Sequence, residues 1–156
     1  MAEHVTTVKA CFRLSVLVAA LAIAGCYTYV AENRYPTLAD AKADRLFERG
    51  WLPDLLPPSS FDIHTINNLD ASTSTGSFRF SPTDGPLLFG KLTMEASAEA
   101  PFSDWPATLM DYKRRGFIAW SHRKGYERWV FFCIAREGRC EYVMWSTRWS
   151  TSASGR

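Results

Sequence analysis

Apolar residues recur at helical spacing between positions 38 and 49, which predicts a first helix over this segment. Thr37 and Asp40 have the spacing of a capping box, so the helix is expected to begin directly after Thr37. Gly50 is well placed as the left-handed residue that follows the end of a helix. The stripe expected to face the protein interior consists of Leu38, Ala41, Leu46 and Phe47.

A second helix is predicted over residues 103–115. Ser103 is expected to cap this helix, and Asp104 and Pro106 both suit its first turn. Gly116 is expected to end the helix. The interior stripe is predicted to consist of Trp105, Leu109, Met110 and Tyr112.

Alternating apolar and polar residues, bounded by turn-forming residues, predict the strands. The strands are expected at residues 61–66, 77–81, 87–95, 117–122, 126–135 and 139–148. Residues 67–76 and 82–86 are interpreted as turns. The strand that contains Trp129 is apolar on both faces, which indicates a central position in a sheet. Residues 122–125 and 135–138 both end in glycine, as four-residue hairpin loops prefer.

These elements predict an α+β fold, with a mostly antiparallel sheet of five or six strands and two helices packed on one face. A single globular domain is expected over residues 37–149. A tether over residues 26–36 would precede this domain, and a flexible tail over residues 150–156 would follow it. The predicted core consists of Leu46, Phe47, Trp51, Leu56, Ile63, Phe80, Leu92, Trp105, Leu109, Ile118, Val130, Phe132 and Val143.

The leader of the chain determines its predicted compartment. Lys9 and Arg13 precede an uncharged run over residues 14–24, which is typical of a secretory signal peptide. The run closes on Ile-Ala-Gly-Cys, ending at Cys26, which resembles the lipoprotein box of bacteria. The resemblance implies a cleaved signal peptide over residues 1–25 and lipidation of Cys26, with palmitate among the acyl chains. Several acyl chains hold a protein stably on a membrane, whereas one chain binds only marginally.

The main alternative is an anchor that is not cleaved. Residues 14–31 form eighteen uncharged positions in a row, close to the lower limit of about 17–25 residues for a membrane-spanning helix. The chain would then be a single-pass inner-membrane protein. In the lipoprotein alternative, Tyr27 rather than Asp after Cys26 favours the outer membrane if the source is Gram-negative. A soluble cytoplasmic protein fits the leader least well.

Composition limits the partners of the exported part. Removal of residues 1–25 leaves 131 of the 156 residues, which is enough for one domain. Because Glu3, Lys9 and Arg13 leave with the leader, Lys and Arg fall from 18 to 16 and Asp and Glu from 16 to 15. The remaining net charge of about +1 gives no general attraction to nucleic acid, and export also argues against that partner.

The cysteines divide into two groups. Cys11 and Cys26 belong to the leader, which leaves Cys133 and Cys140 as the pair in the exported part. Two cysteines in an oxidising compartment most simply form a disulfide. A four-residue loop over residues 135–138 would place them directly opposite each other on neighbouring strands. Two buried free thiols are the alternative.

Residues 51–60 form a proline-rich loop, WLPDLLPPSS, in which three prolines exclude a helix or a central strand. Residues 43–63 resemble the helix-Gly-Trp-Leu-Pro-x-x-Leu-Pro signature of small bacterial envelope proteins that have no established activity. The likeness extends to Phe80. That group usually carries an Asp-Thr-Asn-like triplet after the isoleucine, whereas this chain has Asp-Ala-Ser at residues 70–72. The resemblance implies an envelope location and no particular reaction.

The sequence contains no pattern that points to a metal, a cofactor or a catalytic group. His64 and His122 lack partners at metal-ligand spacing, and neither a nucleophile elbow nor a glycine-rich phosphate loop is present. A small envelope hydrolase that uses Asp62, His64 and Asp70 is retained as an alternative. Convergence of these three side chains in a deep pocket would favour it.

Basic residues concentrate in one stretch of the chain, near Trp120 and Trp129. They are Lys113, Arg114, Arg115, Arg123, Lys124 and Arg128. The candidate binding surface consists of Trp51, Arg123, Lys124 and Arg128. Its expected partners are membrane lipid headgroups, a cell-wall polymer or another envelope protein. Helix-dipole compensation and a solvated hairpin tip explain the same charges without a partner.

The preferred hypothesis is therefore a bacterial envelope lipoprotein that is a non-enzymatic binding or structural module. Its partners would be the membrane, through the N-terminal anchor, and one other envelope component. Besides the hydrolase, an inhibitor or immunity protein that blocks a secreted enzyme is a further alternative.

Overall fold

A seven-stranded antiparallel sheet organises the residues described by the computed structural model, 29–94 and 100–148. The strands are β1 (Val30–Thr37), β2 (Phe61–Asn68), β3 (Thr73–Arg79), β4 (Thr93–Met94), β5 (Ile118–Lys124), β6 (Glu127–Ile134) and β7 (Arg139–Ser146). Their order across the sheet is β1-β2-β3-β7-β6-β5-β4. The helices are α1 (Leu38–Ala43), α2 (Gly85–Phe89) and α3 (Trp105–Arg114). The predicted α+β class and antiparallel sheet are confirmed, with seven strands instead of five or six.

Strand β1 corrects the predicted tether over residues 26–36 at residues 30–36, which belong to the sheet. The segment is mostly polar, and an edge strand tolerates that composition because only one of its faces meets the core. Tyr35 is the buried residue of the strand. Because β1 begins at Val30, residues 27–29 are the only ones that separate Cys26 from the sheet.

Helix α1 begins with the predicted capping box but ends after six residues instead of twelve. Asp40 accepts the backbone N–H of Thr37 (3.1 Å), and the Thr37 hydroxyl accepts that of Asp40 (3.2 Å). Arg45 then adopts a left-handed φ of 57°, and the Leu46 N–H donates to the Ala41 carbonyl (3.0 Å), as in a Schellman turn. This turn buries Leu46 and leads the chain into the proline-rich loop.

The turn predicted over residues 67–76 is confirmed at residues 69–72, whereas the residues on either side complete β2 and begin β3. Their buried polar side chains satisfy one another: the Ser74 hydroxyl donates to the side-chain amide oxygen of Asn67 (2.7 Å) and lies 3.0 Å from the hydroxyl of Tyr142. Polar groups are tolerated in a core where such partners exist. The pattern of apolar and polar positions along the chain does not reveal which polar side chains will find such partners.

Residues 87–95, predicted as a strand, contribute to helix α2 and to the two-residue strand β4. Pro86 suits the first turn of a helix because it lacks an N–H that would have no intrahelical partner there. Leu88 is fully buried whereas Leu87 is 52% exposed. A short apolar run cannot by itself distinguish a buried strand from a helix, which explains the wrong assignment.

The last three predicted strands are confirmed as β5, β6 and β7. The loop between β5 and β6 is shorter than predicted, because Lys124 pairs with Glu127 and only Gly125 and Tyr126 lie between them. Gly125 has the left-handed φ of 59° that such a tight turn requires. The tip of this hairpin, the β5–β6 turn, therefore carries its basic residues on strands rather than in a loop.

The predicted disulfide is present between Cys133 and Cys140. The β6–β7 loop spans residues 135–138 as predicted, so the two cysteines lie opposite each other with their Cα atoms 4.2 Å apart. Both residues are buried, with 1% and 0% of their surface exposed. The bond therefore belongs to the core rather than to an accessible redox site.

Helices cover both faces of the sheet, which corrects the prediction that they pack on one face. Strand β6 shows the division, since its side chains alternate between two separate clusters. The first face, covered by α1, α2 and the proline-rich loop, receives Trp129, Phe131 and Cys133. The second face, covered by α3, receives Val130, Phe132 and Ile134. Both clusters use β6, which confirms its predicted central position.

Two residues predicted to lie in the interior are exposed. Ile118 at the start of β5 is 49% exposed, and Met110 on α3 is 64% exposed. Residues on a helix that are one position apart point about 100° away from each other, so Met110 cannot share the buried stripe of Leu109. Both exposed side chains line a groove on the second face.

Candidate functional site

An apolar groove, called the α3–β5 groove below, lies between helix α3 and strand β5. Its volume of about 650 Å³ is within the range of roughly 300–1,000 Å³ found for small-molecule sites. The apolar lining includes Met94, Leu109, Met110, Ile118, Ala119 and Phe132. The groove is open to solvent on one side, since several of these side chains are exposed.

Phe132 on β6 fixes helix α3 over the sheet and forms the floor of the groove. The ring of Tyr112 stacks on Phe132 with centroids 3.8 Å apart, and the ring of Trp105 lies 5.8 Å from it. Contacts at both ends of the helix hold α3 above β6, so the space beside it opens toward β5. The buried contacts of α3 with Phe132 therefore create the groove, and the exposed residues that line it are not needed to form it.

Acidic and basic groups meet at the C-terminal end of α3. The Tyr112 hydroxyl donates to Glu141 (2.8 Å), and Arg115 donates to Glu141 (3.2 Å) and to Asp111 (3.3 Å). Burial, followed by the neighbouring Glu141, raises the pKa of Tyr112 well above its usual value. The Tyr112 hydroxyl therefore stays protonated and remains a hydrogen-bond donor. The carboxylates of Asp111 and Glu141 are both paired with Arg115, which balances their negative charge.

Lys113 and Arg114 provide positive charge at the rim of the groove. Arg114 pairs with Asp111 (3.1 Å), whereas Lys113 has no ion pair within the part of the chain that the structure describes. The apolar side chains nearby are open to a ligand, since Met94 is 62% exposed and Met110 is 64% exposed. This arrangement can hold an apolar group and a negative charge at the same time.

The structure separates Trp51 from the basic residues of the predicted binding surface. Trp51 packs against the core of the first face, and its carbonyl accepts a hydrogen bond from the indole N–H of Trp129 (3.1 Å). Arg123 on β5 and Arg128 on β6 are opposite each other in the strand register and lie on the second face. Trp51 therefore holds the proline-rich loop against the sheet and does not share a surface with the arginines.

The basic stretch also divides into two groups at opposite ends of β5. Residues 113–115 end helix α3 and directly precede β5. Arg123, Lys124 and Arg128 lie beside the β5–β6 turn at the other end of the strand. Seven residues of extended strand span about 20 Å, so the groups act as separate surfaces.

The structure does not bring Asp62, His64 and Asp70 together as a catalytic set. Asp62 lies at a bulge near the start of β2, and Asp70 follows the end of the same strand. The His64 ring bonds to Glu32 on β1 (2.8 Å), and this bond is the main cause of the lowered pKa of Glu32. Asp70 accepts the backbone N–H of Tyr29 (3.1 Å).

A second cavity, of about 530 Å³, lies at the edge of β5 and has a polar lining. It is lined by Lys91, Thr93, Ser121, His122 and Arg123. Burial lowers the pKa of His122, which favours the neutral ring at neutral pH. Within residues 29–94 and 100–148, no group of three or more His, Cys, Asp or Glu side chains could hold a metal ion.

The predicted lipidation site lies outside the described residues, as does the whole leader over residues 1–25. The predicted tail over residues 150–156 lies outside them too. Among the helices that the structure does describe, none is long and apolar enough to cross a membrane. The sequence pattern at Cys26 thus remains the basis for the predicted anchor.

The described residues define an α+β domain with a seven-stranded antiparallel sheet and an open apolar groove. Residues 30–79 match the family model described as the YbbD head domain, which indicates similarity to a bacterial family over strands β1 to β3. No curated protein and no solved structure matches the chain. The α3–β5 groove and the β5–β6 turn lie outside the matched residues, in the part of the sheet that follows them.

Proposed function

We propose that this chain is a membrane-anchored protein of the bacterial envelope that binds an amphipathic, negatively charged ligand without converting it. The ligand would place an acyl or aromatic body in the α3–β5 groove and its charge near Lys113. The single observation that carries the proposal is the groove itself, a volume of about 650 Å³ with exposed apolar lining and a cationic rim. No cofactor is part of this function.

Two further observations support binding in the envelope. The disulfide between Cys133 and Cys140 is typical of a protein that folds in an oxidising compartment. The bonds of His64 to Glu32 and of Tyr29 to Asp70 use groups that a hydrolase would need elsewhere. These contacts favour a binding module over the hydrolase alternative.

The chemistry of the lining supports the choice of ligand. Methionine side chains are flexible and polarisable, so Met94 and Met110 suit a groove that accepts apolar groups of varied shape. Lys113 complements an anionic end, because the nearby carboxylates of Asp111 and Glu141 already have basic partners. An uncharged apolar ligand would use only part of this site.

Replacement of Met110 by glutamate is expected to reduce binding of dodecanoic acid about tenfold, because the new carboxylate repels the ligand and removes apolar contact. A photoreactive diazirine analogue of dodecanoic acid, added to the full chain in phosphatidylcholine vesicles, would measure this. Cross-linked peptides from α3 and β5 are quantified by mass spectrometry. Leu87→Glu is the matched control, since Leu87 is also exposed but lies on α2. Equal labelling of the two variants would exclude the groove as the site.

The charge requirement has its own comparison. Lys113→Glu is expected to weaken cross-linking by the dodecanoic acid analogue and to leave cross-linking by the matching dodecanol analogue unchanged. If cross-linking falls equally for both analogues, Lys113 contributes shape rather than charge, and the proposal that the ligand has an anionic end is wrong.

The anchor is tested separately through Cys26. Incorporation of radiolabelled palmitate in a bacterial host is expected for the wild type and is expected to disappear in Cys26→Ser, because the thiol is the acceptor. Membrane fractionation is measured on the same cells. An unlabelled wild-type chain that stays membrane-bound at full length would instead assign residues 14–31 to a membrane-spanning helix.

A further inference from the structure

The beginning of the sheet and the β5–β6 turn lie at the same end of the domain. Backbone hydrogen bonds join the segments there, from the amide of Leu69 to Tyr29 (3.1 Å), of Ser146 to Ser72 (3.2 Å) and of Thr147 to Tyr126 (2.9 Å). We call this surface the anchor end; it comprises Tyr29, residues 69–72, residues 123–128 and residues 146–148. Strand register agrees, since one row of paired residues crosses the sheet there.

Positive charge dominates the anchor end. Its cations are Arg123, Lys124, Arg128 and Arg148, and its carboxylates are Asp70 and Glu127. Asp70 is occupied by the Tyr29 N–H (3.1 Å). Arg123 and Lys124 have no ion pair within the described residues, and both are exposed.

Two arginines stand directly opposite each other at this end, Arg123 on β5 and Arg128 on β6. Like charges in such a cross-strand pair oppose folding. Arg128 is held by the turn itself, since its guanidinium donates to the carbonyls of Gly125 (2.8 Å) and Glu127 (2.9 Å). These bonds fix the position of the charge without neutralising it, so the pair favours an external anion.

The same end exposes apolar and aromatic surface. Tyr29 is 64% exposed and Tyr126 is 58% exposed, and Val30 and Leu69 are exposed beside them. The Arg148 guanidinium lies 5.8 Å from the centre of the Tyr126 ring. Tyrosine together with arginine and lysine is the combination that proteins place at the interface between lipid headgroups and water.

Chain length fixes how far this end can lie from the membrane. Tyr29 is the third residue after Cys26, and three residues of chain span at most about 11 Å. Charges interact across roughly 8 Å of solution at physiological salt. A lipid on Cys26 therefore holds the anchor end within reach of the charged headgroups.

We propose that the anchor end docks on the anionic phospholipid surface in which the N-terminal segment of the same chain is held. This inference rests on the membrane anchor of the proposed function and adds the orientation of the domain. Arg123, Lys124, Arg128 and Arg148 face the headgroups, and Tyr29 and Tyr126 lie at their level. The β6–β7 loop, at the opposite end of β6, points away from the membrane.

Photocross-linking of the full chain in vesicles tests the docking. Benzoylphenylalanine replaces Tyr126 in one protein and Arg136, which lies in the β6–β7 loop, in another. The vesicles contain phosphatidylcholine with or without phosphatidylglycerol. Lipid cross-linking is expected at position 126, several-fold stronger with phosphatidylglycerol, and absent at position 136. Equal cross-linking at the two positions, or no dependence on phosphatidylglycerol, would overturn the docking.

Charge reversal supplies the matched comparison. Arg123→Glu combined with Lys124→Glu is expected to lower cross-linking at position 126 several-fold. Lys42→Glu combined with Arg136→Glu makes the same change in net charge away from the anchor end and is expected to have no effect. If both pairs act alike, the anchor end has no special role and the inference is wrong.

Flotation separates this inference from the function on which it rests. A chain that floats with phosphatidylcholine vesicles but fails to cross-link at position 126 retains its anchor and refutes the docking. A chain that does not float even with phosphatidylcholine vesicles lacks the anchor, and the docking then fails together with it.

Discussion

Replacement of Gly138 by alanine is expected to lower the free energy of unfolding by about 2–5 kcal/mol. Gly138 has a left-handed φ of 58°, which costs a residue with a side chain roughly 1–2 kcal/mol. A Cβ atom there would also lie 1.9 Å from the Phe80 carbonyl oxygen and 3.2 Å from Cδ of Pro82. Relieving such overpacking typically costs a further 1–3 kcal/mol or so.

The backbone around Gly138 has little freedom to move away. The Phe80 N–H donates to the Gly138 carbonyl (2.8 Å), which binds the β6–β7 loop to the segment after β3. The disulfide between Cys133 and Cys140 fixes the strands on either side of the loop. The clash is therefore with backbone that is held on both sides, rather than with the end of a flexible side chain.

Gly116→Ala is the matched control for this prediction. Gly116 has a similar left-handed φ of 84°, but no atom lies within 4 Å of the position its Cβ would take. Its expected loss is therefore the conformational part alone, about 1–2 kcal/mol. Urea unfolding of both variants measures the difference, and equal losses would show that the contact with Phe80 imposes no constraint.

The sequence predicted the fold best where one local rule acts alone. The capping box at Thr37 and the spacing of Cys133 and Cys140 depend on neighbouring residues, and the structure contains both features as predicted. Strand β6 was placed correctly because an apolar run on both faces fits only the centre of a sheet. These signals need no knowledge of distant partners.

The wrong assignments occurred where distant partners decide the structure. Strand β1 is polar in sequence and becomes a strand because β2 offers it a free edge. The buried Asn67 and Ser74 satisfy each other across β2 and β3, so their polarity does not mark a turn. Helix α3 lies on the second face, although its own sequence specifies only a buried stripe and not the face it will cover.

The two candidate sites also differ in how far the sequence predicts them. The basic residues of the β5–β6 turn are visible in the sequence, but only the strand order places them beside Tyr29 at the anchor end. The α3–β5 groove was missed because Met110 and Ile118 were assigned to the interior. An available signal was the position of Met110 about 100° from Leu109 on the helix.

Replacement of Phe131 by alanine is expected to lower the free energy of unfolding by about 3–5 kcal/mol, as for other large aromatic residues removed from a core. Phe131 is fully buried in β6, with the rings of Phe78 and Tyr142 at 6.2 Å and 6.0 Å. The cavity that the missing ring leaves cannot readily collapse, because hydrogen bonds to β5 and β7 hold β6 on both sides.

Phe61→Ala removes the same atoms from an exposed site and serves as the control. Phe61 is 42% exposed at the start of β2 and lies 5.5 Å from the Arg79 guanidinium. Its expected loss is about 1–2 kcal/mol, since only part of the Phe61 side chain is buried. Urea unfolding followed by tryptophan fluorescence compares the two variants, provided that their m-values agree. If Phe131→Ala costs no more than Phe61→Ala, β6 does not lie at the centre of the sheet, and the division into two faces that creates the groove is wrong.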